Sequence, residues 1–270
     1  MPLYLSTFAN SGRRQLQLIG AGLSDYLDAI IQPGFEDAAI GEIGGYLAEQ
    51  RNNWDVCDLH ELRDTSVLRR ASIIAQCADE IVIQNVCPAL ALPVSVDELK
   101  YRVPAATLRR LSRYRRKLGR SSRVNIEVPD HENFHRLFDA FVNLHTARWN
   151  SRGESGAIAD SATALFHKTA AEGFLRKGIL RLYLMSIEGR PAAALYCVSC
   201  HRRTYGYLSG FAPEFERLSP GTVLLGHAIE EAVREGSAVF DFMRGAEAYK
   251  YVWGARNFFN YHRRIHSAEN

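Results

Sequence analysis

The sequence predicts an α/β protein, with a mixed central sheet flanked by helices. Three observations carry that prediction. Between Glu132 and Phe211, two amphipathic helices precede three apolar strands joined by tight turns, the pattern of an antiparallel meander. From Thr204 to Met243 a strand, a helix and another strand follow one another, a crossover that makes the two strands parallel. Before residue 100, strands and helices alternate, but in a short and incomplete series.

In that front segment Gln15–Ile19 reads as a strand and Phe35–Gln50 as a helix. Trp54–Leu59 reads as a strand, Thr65–Ala78 as a helix and "CPALALP" as a strand. The stretch "LIGAGLSDYLDAI" places Gly20 and Gly22 as a dinucleotide-binding loop would. Asp25 stands where the third glycine is needed, and its charge would face a pyrophosphate, so the stretch reads as a turn.

The segment "LRRLSRYRRKLGRSSR" carries an apolar stripe of Leu108, Leu111, Tyr114 and Leu118, which makes it an amphipathic helix with a basic outer face. Ten Lys and Arg and no acidic residue lie between Leu99 and Ile126, while the rest of the chain has 23 basic and 30 acidic residues. Such a face suits nucleic acid or an anionic membrane. One basic helix is weak support for nucleic-acid binding, so a solvated helix linking two subdomains is the preferred reading.

Next, "ENFHRLFDAFVNLHTARW" puts Phe134, Leu137, Phe138, Phe141, Leu144 and His145 on one side, after Asp130 as an N-cap. His145 and Trp149 then read as core residues rather than as a base or a ligand. A second helix runs from Asp160 to Lys177 and closes at Gly178. The strands "LRLYLMSI", "PAAALYCVSC" and "TYGYLSGF" follow, separated by "EGR" and "HRR". Tyr205, Tyr207 and Phe211 on the third either line an acceptor pocket or pack the strand.

In "RLSPGTVLLGHAIEEAVREG", Ser219 suits the N-cap and Pro220 the first helical position. Leu225, Ile229, Ala232 and Val233 form the apolar face, and Gly236 ends the helix. Capping does not account for Gly221. A glycine there bares a helix start whose free N–H groups attract anions. The crossover sets this turn at the C-terminal end of a strand, where α/β sheets bind ligands. The strand "AVFDFM", a short helical "AEAYKYVWG" and a last strand "FFNYHRRIH" complete the chain. In "FDFM", Phe240 and Phe242 share one face and Asp241 takes the other. A carboxylate on a central strand needs a partner or a function, and Arg244 and Lys250 are the nearby cations.

The composition is that of a globular chain: 270 residues, 47% hydrophobic, 23% charged, net charge +3. No apolar run is long enough to span a membrane, and the start lacks the order of a signal peptide, so a cytoplasmic protein is expected. Five cysteines argue for free thiols. "CVSCH" spells a haem-attachment pattern, but in a strand Cys197 and Cys200 point to opposite faces, so neither haem nor metal is expected.

Six motifs, "GAGLSDYLDAII", "LHTARW", "GRPAAALY", "YLSGF", "RLSPGTVLL" and "FDFMRGAEAYKYVW", resemble those of CelD/BcsL-type acetyltransferase-like proteins. These belong to the GNAT superfamily, are associated with cellulose biosynthesis, and are related to Fem-type peptidoglycan aminoacyltransferases. The resemblance is clear from Leu108 to Trp253 and weaker back to Gly20. It implies a GNAT fold with a partial N-terminal GNAT-like subdomain at 1–100, a basic linking helix at 101–123 and the acyltransferase domain at 124–270. It also implies transfer of an acyl group from acetyl-CoA or another acyl-CoA to an amine acceptor, in exopolysaccharide or cell-envelope synthesis.

Laid on the GNAT phosphate loop, Gln/Arg-x-x-Gly-x-Gly/Ala, Arg217 matches, while Pro220 and Thr222 replace the small residues with Gly221 between them. The implied donor site is Arg217, Ser219, Pro220, Gly221 and Thr222. The implied catalytic residues are Asp241 as base, Tyr249 on the helix that carries a tyrosine acid in many GNATs, and Lys250. "KYVWG" is similar to the Lys-x-x-aromatic-Gly of Fem-type enzymes, and a backbone N–H of "YLSGF" would polarise the carbonyl. Two alternatives stay open: a Fem-like enzyme using aminoacyl-tRNA, and a catalytically degenerate GNAT-fold binding protein. Neither the motifs nor the composition sets an oligomeric state.

Overall fold

The computed structural model describes residues 1–8, 11–69, 73–74, 77–121, 123–158 and 160–267. In chain order the elements are β1 (Leu3–Thr7), β2 (Arg14–Leu18), α1 (Glu36–Glu49), β3 (Val56–Arg63), β4 (Ala78–Ala91), α2 (Ala105–Ser121) and β5 (Val124–Glu127). Then come α3 (Phe134–Asn150), α4 (Ser161–Arg176), β6 (Leu180–Ile187), β7 (Arg190–Cys200), β8 (Arg203–Phe211), α5 (Pro220–Arg234), β9 (Val239–Asp241), α6 (Ala248–Tyr251) and β10 (Arg256–His266). Two compact units form: Met1–Cys87 with Asn257–Asn270, and Pro88–Arg256. The basic helix α2 therefore falls within the second unit, and most of the last strand within the first. Among the described residues no helix is long and apolar enough to cross a membrane.

The first unit has strand order β1-β2-β3-β10-β4. β1 and β2 are antiparallel, β2 and β3 parallel, and β3 and β10 antiparallel. The two-residue period of β3 sends Cys57 and Leu59 into a core with Leu18, Leu47 and Ile265, and Asp58 to the other face. Gly20 and Gly22 have φ +99° and +90°, which is the turn expected there.

Two expectations in this unit change. The helix expected over Thr65–Ala78 is a single 3-10 turn at Val67–Arg69, and Ala78 already starts β4; residues 70–72 and 75–76 of that span lie outside the described residues. "CPALALP" contributes only the end of β4, whose first half carries the β-branched run Ile81-Val82-Ile83. β1 and β5 are short strands whose few residues show too little alternation to stand out.

The second unit has strand order β4-β9-β8-β7-β6-β5. β6, β7 and β8 are successively antiparallel, as the meander requires, β5 adds an unforeseen antiparallel strand beside β6, and β8 and β9 are parallel, as the crossover requires. Phe134, Leu137, Phe138, Phe141 and Leu144 of α3 are buried against this sheet, which bears out the helical spacing. The cap of α3 differs: Asn133 holds the N-cap position, while the Asp130 carboxylate accepts the N–H of Glu132 and Asn133 one turn earlier. Asp160 caps α4 as expected, accepting from Thr163 N at 2.9 Å. Leu111 of α2 presses on α5 at Gly226, where an added Cβ would come within 2.8 Å of it. Arg115 binds Glu230 of α5 with both nitrogens, at 2.8 and 2.9 Å.

Candidate functional site

β8 pairs with β7 along nearly its whole length but with β9 only from Arg203 to Tyr205. At Tyr207 the β7–β8 register shifts, because Tyr196 faces Leu208 while Cys197 faces Gly206. This bulge adds twist and bends β8 away from its parallel neighbour. Beyond it, the edge of β8 from Gly206 to Phe211 lines a cavity of about 290 Å³. Phe240 of β9 and Phe242 just after it, Gly221 and Thr222 at the start of α5, and Tyr249 of α6 also line it.

Glycine makes the approach possible. A Cβ on Gly210 would sit 2.3 Å from the backbone nitrogen of His145, so only glycine lets α3 lie this close to β8. That approach delivers Arg148 and Arg152 to the cavity, and α2 adds Arg110. Arg148 donates from Nη1 to Ser209 Oγ at 2.7 Å and lies over the Phe211 ring. Burial, then the Arg152 charge, lowers its pKa from the ordinary arginine value. The Nε atoms of Arg110 and Arg148 are buried without a hydrogen-bond partner among the described residues. Apolar and aromatic walls with a cationic rim suit a thin ligand with an anionic end.

Tyr249 is 44% exposed, yet its phenol is pushed up to about 12, first by burial and then by Glu247, with Arg148 pulling the other way. The hydroxyl therefore keeps its proton at neutral pH.

The structure brings three of the predicted residues, Gly221, Thr222 and Tyr249, to one cavity and leaves five outside it. Arg217 is exposed and Pro220 buried. Ser219 occupies the N-cap position, but in left-handed backbone at φ 53° and with no side-chain capping bond. Asp241 is 1% exposed on the side of β9 turned from the cavity, accepting from Arg203 Nη1 and from Met243 N, both at 2.9 Å. Lys250 is also buried, and it does not pair with Asp241. Its Nζ donates to the carbonyls of Met243, Arg244 and Gly245 at 3.0, 2.7 and 2.9 Å and meets Glu247 Oε2 at 2.9 Å. Lys250 thus ties down the loop after β9, whose left-handed Met243 (φ 61°) needs such support.

Tyr207 and Phe211 line the cavity and Tyr205 does not. His145 is a core residue: Nδ1–H donates to the Ser209 carbonyl at 3.0 Å, and burial lowers its pKa. Of the "CVSCH" pair, Cys197 is buried and Cys200 half-buried, and all five cysteines are free. The three cavity arginines were missed by the sequence reading. Their signal is the basic run of α2 and the "ARWNSR" that ends α3.

The first unit holds a polar group of its own. The ring Nε2 atoms of His60 and His262 both meet the buried Asp58 carboxylate, and Gln15 donates to it as well. Asp58, His60 and His262 lie close enough to hold a metal ion. Their bonds favour another role. Gln84 Oε1 accepts from Glu61 N, so its Nε2–H faces His60 Nδ1 at 2.9 Å and leaves the His60 proton on Nε2, where it bonds Asp58. The two rings stack 4.1 Å apart at 14°, and each turns its Nε2 to the same carboxylate. The group reads as a clamp on one carboxylate. Burial pushes Asp58 up, but the bonds from His262 and His60 outweigh it and hold the carboxyl well below the usual range.

Comparison with known proteins agrees with this geometry. A family model described as an acetyltransferase (GNAT) domain matches residues 105–251. No curated protein matches the chain. Among solved structures, FemX superposes with TM-score 0.66 at 8% identity, covering 97% of this chain and 83% of FemX. The C-terminal domain (DUF2156) of a protein named as a lysylphosphatidylglycerol synthetase from Agrobacterium fabrum gives 0.64 at 11%, covering 99% and 84%. L-PGS from Bacillus licheniformis gives 0.59 at 9%, covering 99% and 81%. At these identities the likeness is one of fold. The family match spans more than half of the chain, over the elements that build the parted strands and their cavity, and the chain belongs to the acetyltransferase (GNAT) domain family.

Proposed function

We propose that the protein transfers an acyl group from acyl-CoA, acetyl-CoA foremost, to an amine. The observation that carries this reading is the parting of β8 from β9. It leaves the edge of β8 from Gly206 to Phe211 without a strand partner beside Tyr249. A thioester laid along that edge has backbone N–H groups for its carbonyl oxygen, where charge develops as the amine attacks. The amine nitrogen bonds to the carbonyl carbon, the carbon–sulfur bond breaks, and the Tyr249 proton passes to the leaving sulfur. Among the described residues no carboxylate lines the cavity. The amine proton therefore leaves to water, which also reprotonates Tyr249, and Asp241 and Lys250 act as supports of the loop after β9.

The motif resemblance to CelD/BcsL-type proteins supports exopolysaccharide or cell-envelope synthesis as the setting, and an acyl-CoA donor supports a cytoplasmic site. The FemX-like fold keeps one rival donor in view, an aminoacyl-tRNA. Binding titrations with acetyl-CoA, longer acyl-CoAs and free CoA, followed by thiol release with a panel of amines, test the reading. Saturable binding and amine-dependent thiol release are expected. Binding without release for any amine favours the degenerate binding module, and no binding of any CoA species ends the acyl-CoA reading.

A further inference from the structure

The amide cradle at the start of α5 is almost fully used within the protein. A helix start ordinarily leaves four N–H groups for a ligand. Here the N–H of Ser219 donates to the Glu216 carbonyl at 2.9 Å, and Pro220 has none. The N–H of Thr222 and of Val223 both reach the Ser219 carbonyl, at 3.1 and 3.2 Å, which leaves that of Gly221. One amide is a poor seat for a pyrophosphate.

Helix α2 lies beside this start. Lys117 Nζ donates to the Arg217 carbonyl at 3.1 Å. The outer side of α2 forms a groove of about 570 Å³ lined by Arg109, Arg110, Arg113 and Arg116. Arg110 and Val252 line both this groove and the cavity, so the two are joined. Among the described residues these four arginines make no salt bridge, whereas Arg115 is matched by Glu230. From Arg109 to Arg116 the helix rises roughly 10 Å. Guanidinium groups bind phosphate oxygens in pairs, which makes arginine the fitting residue for such a row.

We propose that the α2 arginine groove holds the phosphates of the nucleotide end of the donor, in place of the α5 amide cradle, while the thioester arm enters the cavity past Arg110. This rests on the acyl-CoA reading above. A pyrophosphate and a 3′-phosphate together bring about four negative charges to four guanidinium groups.

The test compares CoA, dephospho-CoA and phosphate-free pantetheine on the full chain and on the Arg109→Gln/Arg113→Gln/Arg116→Gln variant, at two salt concentrations. The triple variant is expected to lose at least about tenfold in CoA affinity and most of its salt dependence, with pantetheine binding unchanged. If it proves unstable, Arg113→Gln alone should lose several-fold for CoA and nothing for pantetheine. Wild-type CoA affinity in a folded triple variant, with binding abolished by Gly221→Asp, overturns the proposal and returns the phosphates to α5. If the unmodified protein binds no CoA species but retards RNA at physiological salt, the acyl-CoA reading itself fails and this assignment falls with it.

Discussion

Arg203 reaches across the last paired stretch of the two parallel strands to Asp241, Nη1 to Oδ2 at 2.9 Å, and the two residues fasten β8 to β9 just before the strands part. The Asp241 side chain is 1% exposed and that of Arg203 is 29% exposed, so the pair is largely shielded from water. Asp241→Asn keeps an acceptor for Met243 N but removes the charge facing Arg203. It should lower stability by about 2 kcal/mol, the range for a hydrogen bond to a charged group. Turnover per folded molecule should stay within a few-fold of wild type. Urea midpoints and kcat on the same preparation decide this, and a folded variant that loses turnover a hundredfold restores Asp241 as the base.

Tyr249 should behave in the opposite way. Tyr249→Phe leaves the cavity wall in place and removes the proton donor. Turnover should fall on the order of a hundredfold with donor affinity and melting temperature unchanged. Because the wild-type phenol titrates at about 12, the alkaline limb of the rate profile below pH 10 should not belong to this residue.

Gly210→Ala should be costly for a residue that gains a single methyl group. The new Cβ would lie 2.3 Å from His145 N and 2.4 Å from the Leu144 carbonyl carbon, both backbone atoms that move only with α3. A loss of about 1–3 kcal/mol is expected, the usual cost of overpacking. Loss of activity should accompany it, because Arg148 travels with α3. A variant as stable as wild type would mean that α3 and β8 separate easily.

The Asp58 clamp predicts an acid-sensitive first unit. Its carboxyl is held below the usual range when folded and titrates near about 3.9 when unfolded. A depressed pKa stabilises the fold above the unfolded value, and that stabilisation is lost as the pH falls below it toward the folded value. Amide exchange in β3 should therefore accelerate as the pH drops below about 4, after correction for intrinsic exchange. Asp58→Asn should show faster exchange at neutral pH and little further change in acid. A wild-type profile in the variant would remove the clamp from the stability of this unit.

The second unit was largely readable from its sequence. Its helices carry apolar residues at 3.6-residue spacing, its strands are bounded by turns, and the crossover dictates parallel pairing. The first unit was less so. β1 has five residues, and the front of β4 is exposed, so neither shows the alternation that burial imposes. At the site, sequence proximity misled. Lys250 lies nine positions from Asp241, yet it turns to carbonyls, while Asp241 accepts from Arg203, 38 positions away. Only strand pairing brings that residue near. The basic run of α2 was visible, but its contact with the cavity through Arg110 depends on where the helix packs.

The last strand of the chain lies between β3 and β4 in the first unit, while the second unit is one uninterrupted stretch from Pro88 to Arg256. During synthesis the two units therefore face different waits. The second unit has every residue it needs as soon as Arg256 clears the ribosome. The first 87 residues must stay unfinished until β10 arrives, with the edges of β3 and β4 open to pairing with other chains. A chain released early would carry the arginine groove of α2 together with an unfinished first unit. Its most exposed edges would be those of the Asp58 strand, which waits for His262 to close the clamp.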